Sequence, residues 1–228
     1  MSIEMAAGVL LIVAPVWFNV CFALLGKRFD YPDVLRRPTA EILEQFRSGG
    51  SSLILLWWTF MLSGLLLIAG VVLIGEVLGL EGVVLVATTF GVLAGLVQML
   101  GLLRWVYLVP ALARAHADPT LGPEQREMNA TVFRALHQYL GVGVGEHLGY
   151  LFTGIWSVLV GIGVIQAAVM PTWLGWPGIV IGAGLMIGSA EFLGPNEERG
   201  WGLAGAAIPV LYIAWSVWLL GMGIALIV

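Results

Sequence analysis

The sequence predicts an all-α protein, a polytopic bundle of six transmembrane helices with its N-terminus outside. Of the 228 residues, 60% are hydrophobic and 11% are charged, whereas soluble domains are about 45–50% apolar and about 25% charged. The apolar residues also fall into runs of about 20, the length at which a helix crosses a bilayer core of about 30 Å. The positive charges between these runs are segregated as well. We therefore expect one transmembrane domain over residues 1–228.

The first apolar run ends at Gly26, before Lys27 and Arg28. Its start carries no positive charge and no clear cleavage site, so we expect a retained helix and not a signal peptide. Glu76 and Glu81 mark a short connection between the second and third runs. The expected spans are residues 6–25, 52–78, 83–111, 141–169, 177–192 and 203–228.

The fourth apolar region is too long for one span. It begins near Val132 and continues to about Met170, and a helix of that length would measure about 60 Å at 1.5 Å per residue. We expect an amphipathic segment at about 127–140 that leads into the span at 141–169. A second amphipathic segment, at about 39–47, is expected either to lie on the inner leaflet or to dock a soluble partner.

The positive charges lie in the first, third and fifth connections between spans. The residues concerned are Lys27, Arg28, Arg36, Arg37, Arg47, Arg114, Arg126, Arg134 and Arg199. Six spans place these three connections on one side of the membrane, and the positive-inside rule makes that side cytoplasmic. We expect a multi-pass protein of the bacterial cytoplasmic (inner) membrane.

A few polar residues fall within or beside the expected spans, where ionisable groups are costly and usually face the bundle interior or a wet cavity. These candidate site residues are Arg104, Glu146, His147, Glu191 and His137, with the neutral Asn19, Gln98 and Gln138. All eight fall in the expected cytoplasmic half of the membrane or at its edge. The outer half is almost purely apolar, with Gln166 the main exception. The pattern indicates a polar cavity open to the cytoplasm and disfavours a through-pore.

Each candidate residue has more than one interpretation. Arg104 either reaches towards the membrane interface or pairs with the carboxylate of Glu146 or Glu191. His147 either hydrogen-bonds a neighbouring helix or handles a proton together with Glu146. On an α-helix His137 and His147 lie about 15 Å apart along the axis, so they cannot share one metal ion. We predict no metal site, and the sequence assigns neither a cofactor nor catalytic residues.

Partners follow from composition and from glycine spacing. The chain has 31 glycines and a single cysteine, Cys21, which excludes an intramolecular disulfide. Glycines four residues apart, such as Gly141 and Gly145, let helices approach closely in lipid, either within the bundle or in a homo-oligomer. We expect contacts with membrane lipid and allow for a homo-oligomer or a larger membrane complex. No basic run fits a nucleic acid.

Four short stretches together resemble a known family. They are Phe29-Asp30-Tyr31-Pro32-Asp33-Val34-Leu35-Arg36-Arg37-Pro38, Leu103-Arg104-Trp105, His137-Gln138-Tyr139 and Gly145-Glu146-His147-Leu148-Gly149-Tyr150. With them the chain resembles, over nearly its whole length, a family of bacterial integral membrane proteins catalogued as a domain of unknown function. The resemblance implies the six-helix architecture. It assigns no role to any residue.

Three functions remain open from the sequence. A non-enzymatic sensor or accessory subunit predicts that Arg104 and Glu146 pair with no room beside them. A small-molecule or lipid binder or carrier predicts a mostly apolar pocket that ends near Arg104. An intramembrane enzyme that acts on a lipid or isoprenoid predicts Glu146 and His147 as acid and base, in a cavity open to lipid and cytoplasm.

Overall fold

The computed structural model describes residues 1–196 and 199–228 in full, and the backbone alone at positions 197 and 198. Its α-helices are α1 (Ile3–Phe29), α2 (Thr39–Leu78), α3 (Gly82–Leu103), α4 (Val109–His116), α5 (Pro123–Leu136), α6 (Gly149–Ala167), α7 (Gly175–Gly188), α8 (Pro195–Arg199) and α9 (Gly202–Ile227). Two π-helices interrupt this series, a short one at Arg104–Leu108 and a long one at His137–Leu148. Short 3₁₀ turns lie at Asp33–Arg36, Thr172–Leu174 and Ser189–Phe192.

Six continuous helical stretches are long and apolar enough to cross a membrane. They are Ile3–Phe29, Thr39–Leu78, Gly82–His116, Pro123–Ala167, Thr172–Phe192 and Gly202–Ile227. The described residues contain no strand. The predicted all-α bundle of six spans is therefore confirmed, while the direction in which it crosses the membrane stays a prediction. We call the end of the bundle that carries residues 27–47, 114–134 and 193–201 the basic end.

The six membrane helices close into a ring. Each packs against the next one along the chain in the order α1, α2, α3, α6, α7 and α9, and α9 returns to pack against α1. One apolar core cluster surrounds the buried Trp156, Trp215 and Trp218. A second cluster, rich in aromatic side chains, contains Trp57 and Trp105 and fills the basic end.

Glycines bring α6 and α7 into backbone contact. A Cβ atom at Gly161 would lie 2.4 Å from the Gly175 carbonyl oxygen, and one at Gly154 would lie 2.6 Å from the Gly182 carbonyl oxygen. Such contacts are the close approach that small residues allow between helices in lipid. At these positions the glycines serve packing within the bundle, the first of the two interpretations. A homo-oligomer stays a prediction.

The segment at 39–47 forms the first turns of α2. Gly50, with φ of 57° and ψ of −156°, breaks the helix after it. The apolar face that contains Ile42, Leu43 and Phe46 is 0–3% exposed. It packs into the aromatic cluster at the basic end, where the ring of Phe46 stacks 5.8 Å from that of Trp105. The expectation that this face lies on the inner leaflet is therefore corrected, because other helices of the protein cover it.

The chain runs from the amphipathic segment into the fourth span without a break. Pro123–Ala167 is one continuous helical stretch of 45 residues, and the junction of its two parts is the long π-helix. A π-helix forms hydrogen bonds from residue i to i+5; it is rare in proteins and is frequently found at functional sites. The α-helical spacing that we applied to His137 and His147 does not hold in this segment.

Candidate functional site

Four of the candidate residues come together at the basic end. Arg104 lies in the short π-helix, Glu146 and His147 lie in the long π-helix, and Glu191 lies in the 3₁₀ turn that follows α7. The long π-helix packs against both of the other elements. Glu146 lies within electrostatic range of Arg104 and of Glu191. These four residues therefore lie in one polar cluster, in which Arg104 is buried and the other three are partly buried.

Arg104 is buried inside the bundle and does not reach the surface. Arg104 is 5% exposed, and its Nη1 donates a hydrogen bond to the Gly101 carbonyl. A Cβ atom at Gly141 would lie 2.7 Å from Cζ of Arg104, so the guanidinium rests directly against this glycine. Cζ also lies 5.3 Å from the centroid of the Trp105 ring, which is within cation–π range.

Within the described part of the chain, no carboxylate forms a close ion pair with Arg104. Among the described residues the ion pairs within 4.0 Å are Arg36–Asp33, Arg37–Asp30, Arg47–Glu44 and Arg134–Glu127, all at the basic end. Arg104 makes no ion pair of this kind and no hydrogen bond beyond the one to Gly101 within that part of the chain. Neither interpretation of Arg104, at the interface or in a close pair with Glu146 or Glu191, describes this geometry.

His147 connects the long π-helix to the turn after α7. Its Nδ1 lies 2.9 Å from the Ser189 carbonyl oxygen. A carbonyl oxygen only accepts, so Nδ1 donates and Nε2 of a neutral ring keeps its lone pair. The Ser189 hydroxyl donates to the Met186 carbonyl at 2.7 Å. This geometry matches the interpretation of His147 as a hydrogen-bonding link between helices.

The other four candidates occupy different positions. His137 lies beside the cluster, where its ring stacks 5.6 Å from that of Phe133, and it is within electrostatic range of Arg104. Gln138 is exposed next to it. Asn19 donates to the Ser216 hydroxyl at 3.0 Å and so joins α1 to α9. Gln98 donates to the Ser63 hydroxyl at 3.1 Å and joins α3 to α2.

Three tyrosines that the sequence analysis did not select surround Glu146. Tyr31, Tyr150 and Tyr212 each lie within electrostatic range of its carboxyl group. The rings of Tyr150 and Tyr212 are 5.2 Å apart. Tyr31 lies in the loop between α1 and α2, where burial and the charge of Glu146 raise its pKa to about 12, so its phenol stays neutral near pH 7. Tyr31 and Tyr150 fall in the stretches that carry the family resemblance, while Tyr212 has no such signal.

Two spaces lie in the bundle, and the residues that line them do not include Arg104, Glu146 or His147. A cavity of about 20 Å³, lined by Ser63, Gln98, Thr153 and Tyr212 among others, lies between the helices and has room for one water molecule. An open groove of about 730 Å³ lies at the basic end, between the first turns of α2 and the connection from α4 to α5. Nowhere in the described part of the chain do three or more His, Cys, Asp or Glu side chains gather in a way that could hold a metal ion.

Comparison with known proteins identifies the family of the chain. No curated protein and no solved structure matches it. One family model does match, DUF4386, described as a domain of unknown function, and the match covers residues 6–223. The resemblance expected from the sequence is thereby confirmed, although the match does not test whether the stretch at 145–150 is a mark of the family. The chain, an all-helical bundle with six helices able to cross a membrane, belongs to the DUF4386 family.

Proposed function

We propose that this protein is a non-enzymatic integral membrane protein that senses or carries a small anionic molecule, which it binds at Arg104 from the basic end. The observation that carries the proposal is a buried guanidinium with no carboxylate oxygen within 4.0 Å of its nitrogens among the described residues. Arginine has five N–H donors and stays charged in proteins, and within the described residues Arg104 uses one hydrogen bond, to a carbonyl of its own helix.

A buried charge without a close partner is unfavourable for folding. In membrane proteins such groups usually mark a pathway or a binding site. Glu146 is near enough to attract Arg104 but forms no ion pair with it within 4.0 Å among the described residues. An anionic ligand would supply the charge-assisted bonds that Glu146 does not make.

The position of the guanidinium supports binding in a second way. Gly141 on one side and Trp105 nearby hold it in one place before any ligand arrives. A binding group whose position is already determined by packing loses little entropy when the ligand binds. This arrangement is what we expect of a receptor site for a carboxylate or a phosphate.

The two other functions have less support. An accessory subunit held together by an Arg104–Glu146 pair lacks the pair. An intramembrane enzyme would use Glu146 and His147 as acid and base, but these two side chains share no hydrogen bond in the described structure, and His147 Nδ1 is already bound to Ser189. Both remain outcomes of the experiment below.

Native mass spectrometry of the detergent-purified protein tests the proposal. We expect the wild type to retain a stoichiometric anionic molecule that Arg104→Gln loses. The matched control is Arg114→Gln, which removes an exposed arginine at the same end and should retain the molecule. An apoprotein mass for folded wild type, Arg104→Gln and Arg114→Gln alike would contradict the proposal and favour a structural role. Chemical change of an added lipid by the wild type would favour the enzyme.

A further inference from the structure

Four buried nitrogen atoms without a hydrogen-bond partner lie in one cluster at the basic end. They are Nε of Arg104, Nε1 of Trp105, Nε1 of Trp57 and Nδ1 of His137. Elsewhere in the described residues, such unpaired atoms occur only at Trp156, His116 and Arg126. Buried polar groups in native proteins are nearly always paired, so a local concentration of unpaired groups calls for a partner.

Trp105 contacts each of the other three side chains. The rings of Trp57 and Trp105 stack at 4.7 Å with an angle of 10° between their planes. Trp105 lies 5.3 Å from Cζ of Arg104 and 6.4 Å from the His137 ring. Both tryptophans are 0% exposed. The cluster is built from α2 and the two π-helices, so its composition depends on the tertiary fold and not on one helix.

The chemistry of these nitrogens determines what they can bind. The indole N–H and the guanidinium N–H groups only donate hydrogen bonds. A cation would therefore leave them unpaired, whereas a group with several acceptor lone pairs and negative charge would satisfy them together. Carboxylates and phosphates have both properties.

We propose that the indole N–H groups of Trp57 and Trp105, together with Arg104, bind the oxygen atoms of a carboxylate or phosphate group. The inference rests on the proposed function, and it names the ligand chemistry and two further binding residues. The aromatic cluster is closed at the basic end, where the ring of Tyr31 packs edge-on, 5.0 Å from that of Trp57. Tyr31 lies in the loop between α1 and α2, so this loop covers the cluster.

The oxyanion has two possible sources, a small soluble anion and the head of a membrane amphiphile. We would titrate the purified protein with inorganic phosphate and, separately, with sodium octanoate, and follow binding by isothermal calorimetry. Binding of phosphate identifies a soluble anion. Binding of octanoate without phosphate identifies an amphiphile whose tail contributes to affinity. Either result supports the shared chemistry, and binding of neither overturns it.

Three matched variants test the role of the indoles. Trp57→Phe and Trp105→Phe remove one N–H donor each and keep an aromatic ring. Trp156→Phe is the control, because Trp156 is equally buried with an unpaired Nε1 but belongs to the other core cluster. A hydrogen bond to a charged group is strong enough that its loss should weaken binding about tenfold or more. We expect this at Trp57 and Trp105 and wild-type affinity at Trp156.

The outcomes separate the two proposals. Loss of binding in Arg104→Gln together with unchanged binding in both tryptophan variants would overturn this inference and leave the proposed function standing. If a tryptophan variant fails to fold, an NMR measurement on the wild-type protein tests the inference instead. In protein with ¹⁵N-labelled indoles, ligand should shift the Nε1–H resonances of Trp57 and Trp105 and leave that of Trp156 in place. No shift at either tryptophan would again overturn the inference.

Discussion

At the scale of single residues, the guanidinium of Arg104 fits against position 141 because the glycine there has no Cβ atom. An alanine Cβ at position 141 would lie 2.7 Å from both Cζ and Nη2 of Arg104, closer than atoms pack. The guanidinium is the mobile end of a flexible side chain, so Gly141→Ala should displace it without unfolding the protein. We predict that Gly141→Ala loses the anionic molecule that the wild type retains in native mass spectrometry.

The control for this substitution lies two residues away. At Gly143 the nearest atom to an added Cβ is the Gln138 carbonyl oxygen at 3.6 Å, an ordinary contact. Gly143→Ala should therefore bind as the wild type does. Equal binding by the two variants would show that the position of the guanidinium does not matter to the ligand.

Which polar residues meet is only partly readable from the sequence. Arg104, Glu146, His147 and Glu191 stand out because charge inside an apolar run is costly, and the structure brings them together. Asn19 and Gln98 give the same signal, but they make hydrogen bonds between helices elsewhere. The missing ion pair could not be predicted, because a distance between helices depends on their packing.

The tyrosines around Glu146 show a different limit. Tyrosine is common at membrane interfaces, where its amphipathic ring meets both water and lipid. The sequence alone therefore did not distinguish Tyr31, Tyr150 and Tyr212 from tyrosines that lie at a membrane interface. They belong to the loop after α1, to α6 and to α9, and only the tertiary fold brings them to one carboxyl group.

At the scale of elements, the long π-helix was the main feature that periodicity missed. Hydrophobic spacing distinguishes helix from strand but gives no signal for i to i+5 bonding. Gly141 and Gly145 were expected to let helices approach closely, and Gly145 does so: a Cβ at Gly101 of α3 would lie 2.7 Å from the Gly145 Cα. Neither backbone can move aside without separating α3 from the long π-helix.

We predict that Gly101→Ala destabilises the protein by about 1–3 kcal/mol, as overpacking does in other cores, and lowers its thermal midpoint by several degrees. Circular dichroism in detergent measures the change. Gly149→Ala is the control, because no atom lies within 4 Å of its added Cβ and alanine favours the helix. A midpoint for Gly101→Ala no lower than that of Gly149→Ala would contradict the close backbone contact.

The amphipathic segment at the start of α2 shows a related limit of prediction from sequence. Its apolar face was predictable from the spacing of Ile42, Leu43 and Phe46, and the break after it falls at Gly50. What covers that face was not predictable. Lipid and protein are both apolar, so amphipathicity alone does not tell them apart.

At the scale of the whole molecule, the number of helices was predictable and their arrangement was not. Hydropathy is a local property, so each apolar run by itself predicts one membrane-spanning helix. The closure of the ring by α1 and α9 joins the two ends of the chain, and no local signal encodes it. The family match over residues 6–223 covers all six helices.

The segregation of positive charge predicts how this ring sits in the membrane. With Cys21→Ala as the background, the chain has no other cysteine, and single cysteines can be placed at exposed sites on either end. We predict that Glu81→Cys reacts with a membrane-impermeant thiol reagent on intact bacterial cells. Glu124→Cys, at the basic end, should react only after permeabilisation, because the positive-inside rule places it in the cytoplasm.

The reverse labelling pattern would show that the basic end faces the outside of the cell. The ligand would then reach Arg104 from the outside. Equal labelling of both cysteines on intact cells would point to leaky cells or mixed insertion. A cytoplasmic reporter protein in the same cells distinguishes these two cases, because it is labelled only when the membrane leaks.

The long π-helix also has a consequence for how this family can change during evolution. A π turn takes up more residues than an α turn, so the segment at 137–148 holds surplus chain that a deletion could remove. Losing one residue there would return the turn to the α form and change the direction in which side chains of the segment point. Glu146 would then no longer lie within electrostatic range of Arg104. In an alignment of the family, members with a deletion in this segment should also lack the arginine at position 104. Once Glu146 is displaced, selection would no longer preserve that arginine.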